Sequence, residues 1–273
     1  MKYLTLFGGL GDHVLWLGLL AHVPEPKTVA CDPRMEALAR LYAGRSYDHL
    51  VVTSAQPRAS DGWFLCWHPT HVGDEYRYLG ERDATVADVV RDILGLPAKA
   101  EIVAPKWGGP WDFWMAGRSV LPGRTVLLAP WAHTAEIRLS DQWWIDAATW
   151  LRSLGVVVLT NTANRGRGFD QSRRGPILDL IPGTLPVDIP LDEIGPFAEL
   201  CGHVLMSRSG LSDLLVRTQA KTCVLWPTEG GRPSQREMDV WSVRRIYGAS
   251  GVVERRVDAG AAFDPTVLEG WLG

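Results

Sequence analysis

Three glycines within four residues constrain this chain more than any other feature. The apolar run Tyr3-Leu4-Thr5-Leu6-Phe7 leads into Gly8-Gly9-Leu10-Gly11-Asp12-His13, and residues 14–20 continue with an apolar helical pattern. The order reads strand, glycine turn, helix. Such a turn lets backbone approach a ligand closely, and the helix aims unpaired N–H groups and its positive dipole end at that point, so a polar or anionic group is expected to dock there. The other reading is a tight strand-to-helix turn with Asp12 as a capping residue. The spacing is too compressed for the dinucleotide fingerprint G-x-G-x-x-G, and no acid follows at the ribose distance, which argues against an NAD-dependent dehydrogenase.

At 273 residues, 46% hydrophobic and 22% charged, the chain suffices for one large α/β domain or two modest ones. A net charge of −3 argues against a nucleic-acid backbone as the main partner. Cys31, Cys66, Cys201 and Cys223 form no C-x-x-C pair, so neither a zinc knuckle nor a disulfide framework is suggested, and a reducing cytoplasm fits. No charged segment precedes a signal-like apolar stretch, and no apolar run approaches the ~20 residues that cross a bilayer. The expectation is a soluble, cytoplasmic protein without a transmembrane segment. Thirteen tryptophans, among them Trp107, Trp111, Trp114, Trp131, Trp143, Trp144 and Trp150, fit buried helix faces first; stacking platforms for a sugar or base, or an apolar partner surface, are the alternative.

Short apolar strands are predicted at 28–31, 49–52 and 63–67, separated by helical patterns at 33–42 and 85–94. Residues 98–124 break down into Pro, Gly and Trp, and the interdomain connection is placed there, giving domains 1–118 and 119–273. The second half restarts with a strand at 125–129, a loop at 130–139 and a helix opened by Ser140 or Asp141 and running to 153. Further strands are predicted at 156–159, 177–181, 204–207 and 222–226, with helices at 191–201 and 210–219 and an exposed, arginine-rich loop at 161–175. Alternating strands and helices imply parallel sheets, so the predicted assembly is α/β: two Rossmann-like domains with parallel sheets facing a central cleft, ligands binding at the carboxyl ends of the strands.

Two more loops carry chemistry. In Leu205-Met206-Ser207-Arg208-Ser209-Gly210-Leu211-Ser212-Asp213, the residues Ser209, Gly210, Leu211 and Ser212 open a helix with backbone and hydroxyl donors, and Arg208 supplies a fork suited to phosphate; a capped helix with Arg208 in a surface ion pair is the other reading. In Ala129-Pro130-Trp131-Ala132-His133-Thr134, followed by Arg138, small and hydroxyl residues after a strand again suit a phosphate. Thr160, Asn161 and Leu180 end strands and are candidates to flank a base. His68 and His71 with Asp74 and Glu75 imitate a metal site but lack the i, i+4 helical spacing of a zinc motif, and no metal is assigned.

The order of these loops resembles the ADP-heptose:lipopolysaccharide heptosyltransferases, glycosyltransferases of the GT-B fold. The resemblance rests on Gly8-Gly9-Leu10-Gly11-Asp12, the loop 130–138 before a tryptophan-bearing helix, Ile177-Leu178-Asp179-Leu180 followed by Leu191-Asp192-Glu193-Ile194, and Arg208-Ser209-Gly210-Leu211-Ser212-Asp213. It implies an inverting transfer of a sugar from a nucleotide-diphosphate donor, bound by the C-terminal domain, to an acceptor hydroxyl held by the N-terminal one, without a metal or other cofactor. The family shows an Asp-Thr-Gly triplet and a nearby His where this chain has Arg208-Ser209-Gly210 and Asp213, and a Lys where Arg138 stands. An Arg-Ser-Gly triplet at this turn is also similar to that of GT-B transferases that use UDP-sugars.

The expected roles follow. Asp12 is the general base; Gly9, Gly11, Trp131, His133, Thr134, Arg138, Thr160, Leu180, Arg208, Ser209, Gly210, Leu211 and Ser212 are on the donor side; His13 is on the acceptor side. Two rival functions remain on the same fold: a nucleotide-sugar hydrolase or epimerase, and a binding protein without turnover.

Overall fold

The computed structural model describes residues 3–6, 8–55, 57, 62–66, 83–108, 120–131, 137–162 and 180–272. The chain divides into two compact units, Met1–Gly108 with Gln235–Gly248, and Gly109–Ser234 with Ala249–Gly273.

In the first unit, β1 (Tyr3–Leu6), β2 (Thr28–Cys31), β3 (His49–Val52) and β4 (Phe64–Cys66) form a parallel sheet in the order β3-β2-β1-β4. Helix α1 (Leu10–Leu20) is apolar all round rather than along one stripe, and every residue from Val14 to Leu20 is buried, as a core helix requires. Gly18 is needed there: its carbonyl accepts the Val103 N–H at 3.0 Å, and an added Cβ would lie 2.9 Å from the Val103 carbonyl oxygen. The predicted helix at 33–42 is instead a 3-10 turn, Pro33–Met35, followed by α2 (Glu36–Arg40), because Asp32 caps the turn through the Arg34 N–H. Helix α3 (Val86–Ile93) is capped by Thr85, whose N–H and hydroxyl both reach Asp88 Oδ2 at 2.8 Å.

The second unit carries a six-stranded parallel sheet in the order β10-β9-β8-β5-β6-β7. Its strands are β5 (Thr125–Ala129), β6 (Val157–Asn161), β7 (Leu185–Val187), β8 (Gly202–Ser207), β9 (Lys221–Thr228) and β10 (Val252–Asp258). Central strands read as unbroken apolar runs because both faces are covered, β5 being buried throughout. Helix α4 (Asp141–Ser153) is capped by the Ser140 hydroxyl, which accepts the Trp143 N–H at 3.1 Å. Its Trp143 and Trp144 are core residues, edge to face with ring centres 5.1 Å apart, and Trp143 meets Phe263 in the same way at 5.1 Å. Helices α5 (Ile194–Cys201) and α6 (Gly210–Leu215) are each shorter than predicted. Gly202 ends α5 at φ +91°, where a Cβ would lie 2.7 Å from the Gly123 Cα.

Three features depart from the sequence expectation. The predicted strand at 177–181 lies largely outside the described residues, and its described end, Leu180 and Ile181, is not strand; the edge of the sheet is β7, which tolerates Pro186 because an edge strand can lack one ladder donor. Strand β10 and helices α7 (Gln235–Trp241) and α8 (Val243–Tyr247) were not anticipated. The expected boundary at 118/119 kept everything after it in one domain, whereas α7 and α8 group with the first unit, Val240 packing with Val89 and the Arg245 guanidinium reaching the Asp83 carboxylate at 3.2 Å. Among the described residues no helix is long and apolar enough to cross a membrane.

Candidate functional site

In a parallel sheet the ligand-binding crevice opens at the carboxyl ends of the strands, where neighbouring connections diverge. In the first unit β1 lies between β2 and β4, so this point is the end of β1 and the turn that follows. Gly8 stands there at φ +91°, and a Cβ on it would overlap the Asp12 carboxylate; only glycine fits. The Gly9 N–H donates to Asp12 Oδ2 at 2.7 Å, so Asp12 is fixed at the N-terminus of α1, a position that stabilises negative charge. Gly9 and Asp12 are partly exposed, as is Gly11 in the first turn of the helix. His13 is placed otherwise: expected on the acceptor side, it is only 2% exposed, its ring inside the unit and its Nδ1 2.9 Å from the Gly9 carbonyl oxygen. Burial lowers its pKa, opposed by the Gly9 carbonyl and by the Asp32 charge.

In the second unit the divergence falls between β5 and β8. Their ends are tied directly, the Ser207 hydroxyl donating to the Pro130 carbonyl at 2.9 Å, so the loop containing Trp131 and the loop containing Arg208 start side by side. Arg208 forms a forked ion pair with Asp213, Nη1 to Oδ2 at 2.6 Å and Nη2 to Oδ1 at 3.2 Å. Nη1 also donates to the Ser209 carbonyl at 2.7 Å and to the Ser212 hydroxyl at 2.9 Å. Its guanidinium carbon lies 5.7 Å from the centre of the Trp226 ring, and the Trp226 indole N–H donates to Glu254 Oε1 at 3.0 Å. Of the two sequence readings of Arg208, the ion pair is therefore present, but largely enclosed rather than on the surface. Trp226 and Glu254 did not stand out from the sequence. Their signal was positional: both sit on β9 and β10, successive neighbours of β8.

The remaining expected residues divide. Gly210 and Ser209 are partly exposed at the start of α6, while Leu211 and Ser212 are buried, the Ser212 hydroxyl closing onto the Ser209 carbonyl at 2.5 Å. Thr160 is fully buried, and its hydroxyl pairs at 2.6 Å with that of Thr184, which donates to the Ile181 carbonyl. That hydroxyl serves the packing of β6. Asn161 ends β6 nearly buried; Leu180, Trp131 and Arg138 are partly exposed. His133 and Thr134 lie outside the described residues, as do His68, His71, Asp74 and Glu75. Among the described residues no three His, Cys, Asp or Glu side chains gather into a metal-binding group. All four cysteines are buried free thiols whose pKa values rise with burial, Cys31 to about 11 and Cys201 and Cys223 to about 12.

No protein-family model and no curated protein matches the sequence. Solved structures do match the fold. A glycosyl transferase of family 9 from Veillonella parvula DSM 2008 aligns with a TM-score of 0.63 at 12% identity, over 94% of this chain and 86% of that one. The E. coli heptosyltransferase WaaC aligns at 0.53 and 11%, over 95% and 92%. The iron-containing dodecameric glycosyltransferase TibC of enterotoxigenic E. coli H10407 aligns at 0.57 and 15%, over 82% of this chain, which spans 57% of that protein. At such identities the likeness is one of fold. The chain has the α/β fold of the heptosyltransferase-like, GT-B glycosyltransferases, with two Rossmann-like parallel sheets.

Proposed function

We propose that the protein is an inverting glycosyltransferase that moves a sugar from a nucleoside-diphosphate donor to an acceptor hydroxyl. The observation that carries the reading is the carboxylate of Asp12, fixed by the Gly9 N–H at the end of β1, in a turn where Gly8 admits no side chain. As the acceptor oxygen attacks the anomeric carbon, Asp12 takes its proton, the bond to the diphosphate breaks, and the leaving group departs with the electron pair on the face opposite the attack. General-base catalysis of this kind contributes roughly 10²–10⁴ in rate. In this scheme the first unit holds the acceptor and the second holds the donor.

On the donor side, the reading is supported by the tie between the ends of β5 and β8, which starts the loop containing Trp131 beside the loop containing Arg208, Ser209 and Gly210; Arg138, further along the first of these loops, is assigned to the same side. Arginines are suited to a diphosphate because the guanidinium fork matches its oxygens, and the scheme asks for no metal. WaaC is known with ADP and TibC with ADP-D-β-D-heptose, which makes an ADP-sugar the first donor to test.

The test is a thermal-shift series with ADP-, UDP-, GDP- and dTDP-sugars, followed by transfer assays and assignment of the product's anomeric configuration by NMR. A true donor at about 100 times its Kd stabilises the fold by about 2.7 kcal/mol. No shift with any sugar nucleotide, or a product with retained configuration, overturns the proposal.

A further inference from the structure

We infer that His13 is a positioning residue for Asp12, acting through Gly9; the inference rests on the reading of Asp12 as the base. Two peptide planes meet at the Gly9 Cα, and each is held by a different side chain. The plane before it gives its N–H to Asp12 Oδ2 at 2.7 Å, and the plane after it receives His13 Nδ1 on its carbonyl at 2.9 Å. A glycine following another glycine at φ +91° has no side chain with which to fix its own torsions. The His13 backbone N–H reaches the same carbonyl at 3.3 Å, and the His13 ring adds a second, shorter restraint from inside the unit. Its ring is 2% exposed and so packed in place, and the carbonyl it meets accepts only, so the proton must sit on Nδ1. Among the described residues, Nε2 has no hydrogen-bond partner, which fits a neutral ring carrying a lone pair there. The charged group whose field reaches the ring is Asp32 at the end of β2, itself bonded to the Arg34 guanidinium at 2.8 Å. The sequence placed His13 beside the base as a ligand contact; the packing makes it the anchor that holds the base still.

The test uses the full ¹⁵N-labelled chain, the variant His13→Leu, which removes the donor but stays apolar, and His13→Asn, whose side-chain amide can occupy the position of Nδ1. Long-range ¹H–¹⁵N spectra are expected to show the Nδ1–H tautomer in the wild type. Exchange of the Gly9 amide proton is expected to run roughly tenfold faster in His13→Leu and to return to within about twofold of wild type in His13→Asn. With ADP-D-β-D-heptose as donor, His13→Leu lowers kcat for ADP release while leaving the donor KM unchanged, and His13→Asn restores it. An Nε2–H tautomer, or a Gly9 amide indifferent to His13→Leu even where the melting temperature falls, overturns the inference. Because the NMR readout needs no substrate, a wild type inactive with every one of the ADP-, UDP-, GDP- and dTDP-sugars counts against the reading of Asp12 as base and is distinguished from failure of the His13 relation.

Discussion

The Arg208 guanidinium and the Asp213 carboxylate face each other as a fork, 2.6 Å and 3.2 Å apart at their two contacts, with side chains only 14% and 6% exposed. A pair this enclosed gains from its mutual attraction but is costly to break, because either partner alone is a buried charge. The guanidinium carbon lies over the Trp226 ring, 5.7 Å from its centre, and the indole N–H is itself held by Glu254. The loop after β8 is thus built around an internal ion pair.

Arg208→Ala is expected to destabilise the protein by about 3–5 kcal/mol in urea unfolding at pH 7, since Asp213 is left buried without its cation. Replacing both partners by apolar residues, Arg208→Met with Asp213→Leu, is expected to recover most of that loss. In calorimetry the double variant still binds an accepted sugar nucleotide more weakly than wild type if the guanidinium contacts the donor; equal affinity removes Arg208 from the donor site.

Asp12→Asn separates two duties of one side chain. The Asn carbonyl oxygen can still accept the Gly9 N–H, so the cap on α1 survives, yet the side chain can no longer take a proton. Turnover is expected to fall by at least about a hundredfold with donor affinity and melting temperature nearly unchanged. Retained turnover rejects Asp12 as the base.

Gly8→Ala puts a Cβ on a backbone at φ +91° and into the space of the Asp12 carboxylate. The conformational strain alone is about 1–2 kcal/mol. Both thermal stability and turnover are expected to drop, whereas Gly44→Ala, also at positive φ but with open space around the added methyl, lowers stability alone.

The four thiols are expected to resist labelling in the native state. Burial pushes Cys31 up to about 11 and Cys201 and Cys223 up to about 12, and Cys66 higher still, so almost no thiolate exists at pH 8. A chromogenic disulfide reagent is expected to report essentially no fast thiol before urea is added and four after it.

Stability is expected to fall on acidification through the histidines. Burial lowers the pKa of His13, whose surroundings include Asp32 and the Gly9 carbonyl, and of His203, which faces Lys221 and the edge of Trp271. The unfolded imidazoles take a proton near about 6.5, and the folded ones resist it, so this stability is complete above that pH and is lost as the pH falls through the folded values. The urea midpoint is expected to be lower at pH 5 than at pH 7.5, and His203→Asn to flatten the dependence.

Much of the fold was legible because it is written locally. Unbroken apolar runs such as Thr125–Ala129 announced central parallel strands, Ser140 announced the start of a helix, and the paired Trp143 and Trp144 were read as core. Short elements were less legible. Pro186 disguised an edge strand, and α7 and α8 are only seven and five residues long, too short for a helical period to show. At the site, Asp12 and the glycine turn were visible in the sequence because a strand, three glycines and a helix are contiguous. Trp226 and Glu254 were not, and an ion pair of Arg208 was foreseen only on the surface and without its partner Asp213, because these contacts assemble from separate strands or from rotamer choice.

The sequence by itself determined the alternation of strands and helices, the two parallel sheets and the glycine turn, since periodicity and the stereochemistry of glycine act over a few neighbouring residues. Only the tertiary structure decided that Thr160 bonds Thr184, that His13 turns inward onto Gly9, that Arg208 closes onto Asp213 above Trp226, and that Gln235–Gly248 groups with the first unit. The physical reason is burial: once water is excluded, each polar group must take whichever partner the packing brings within reach, and that choice is set by residues far away along the chain.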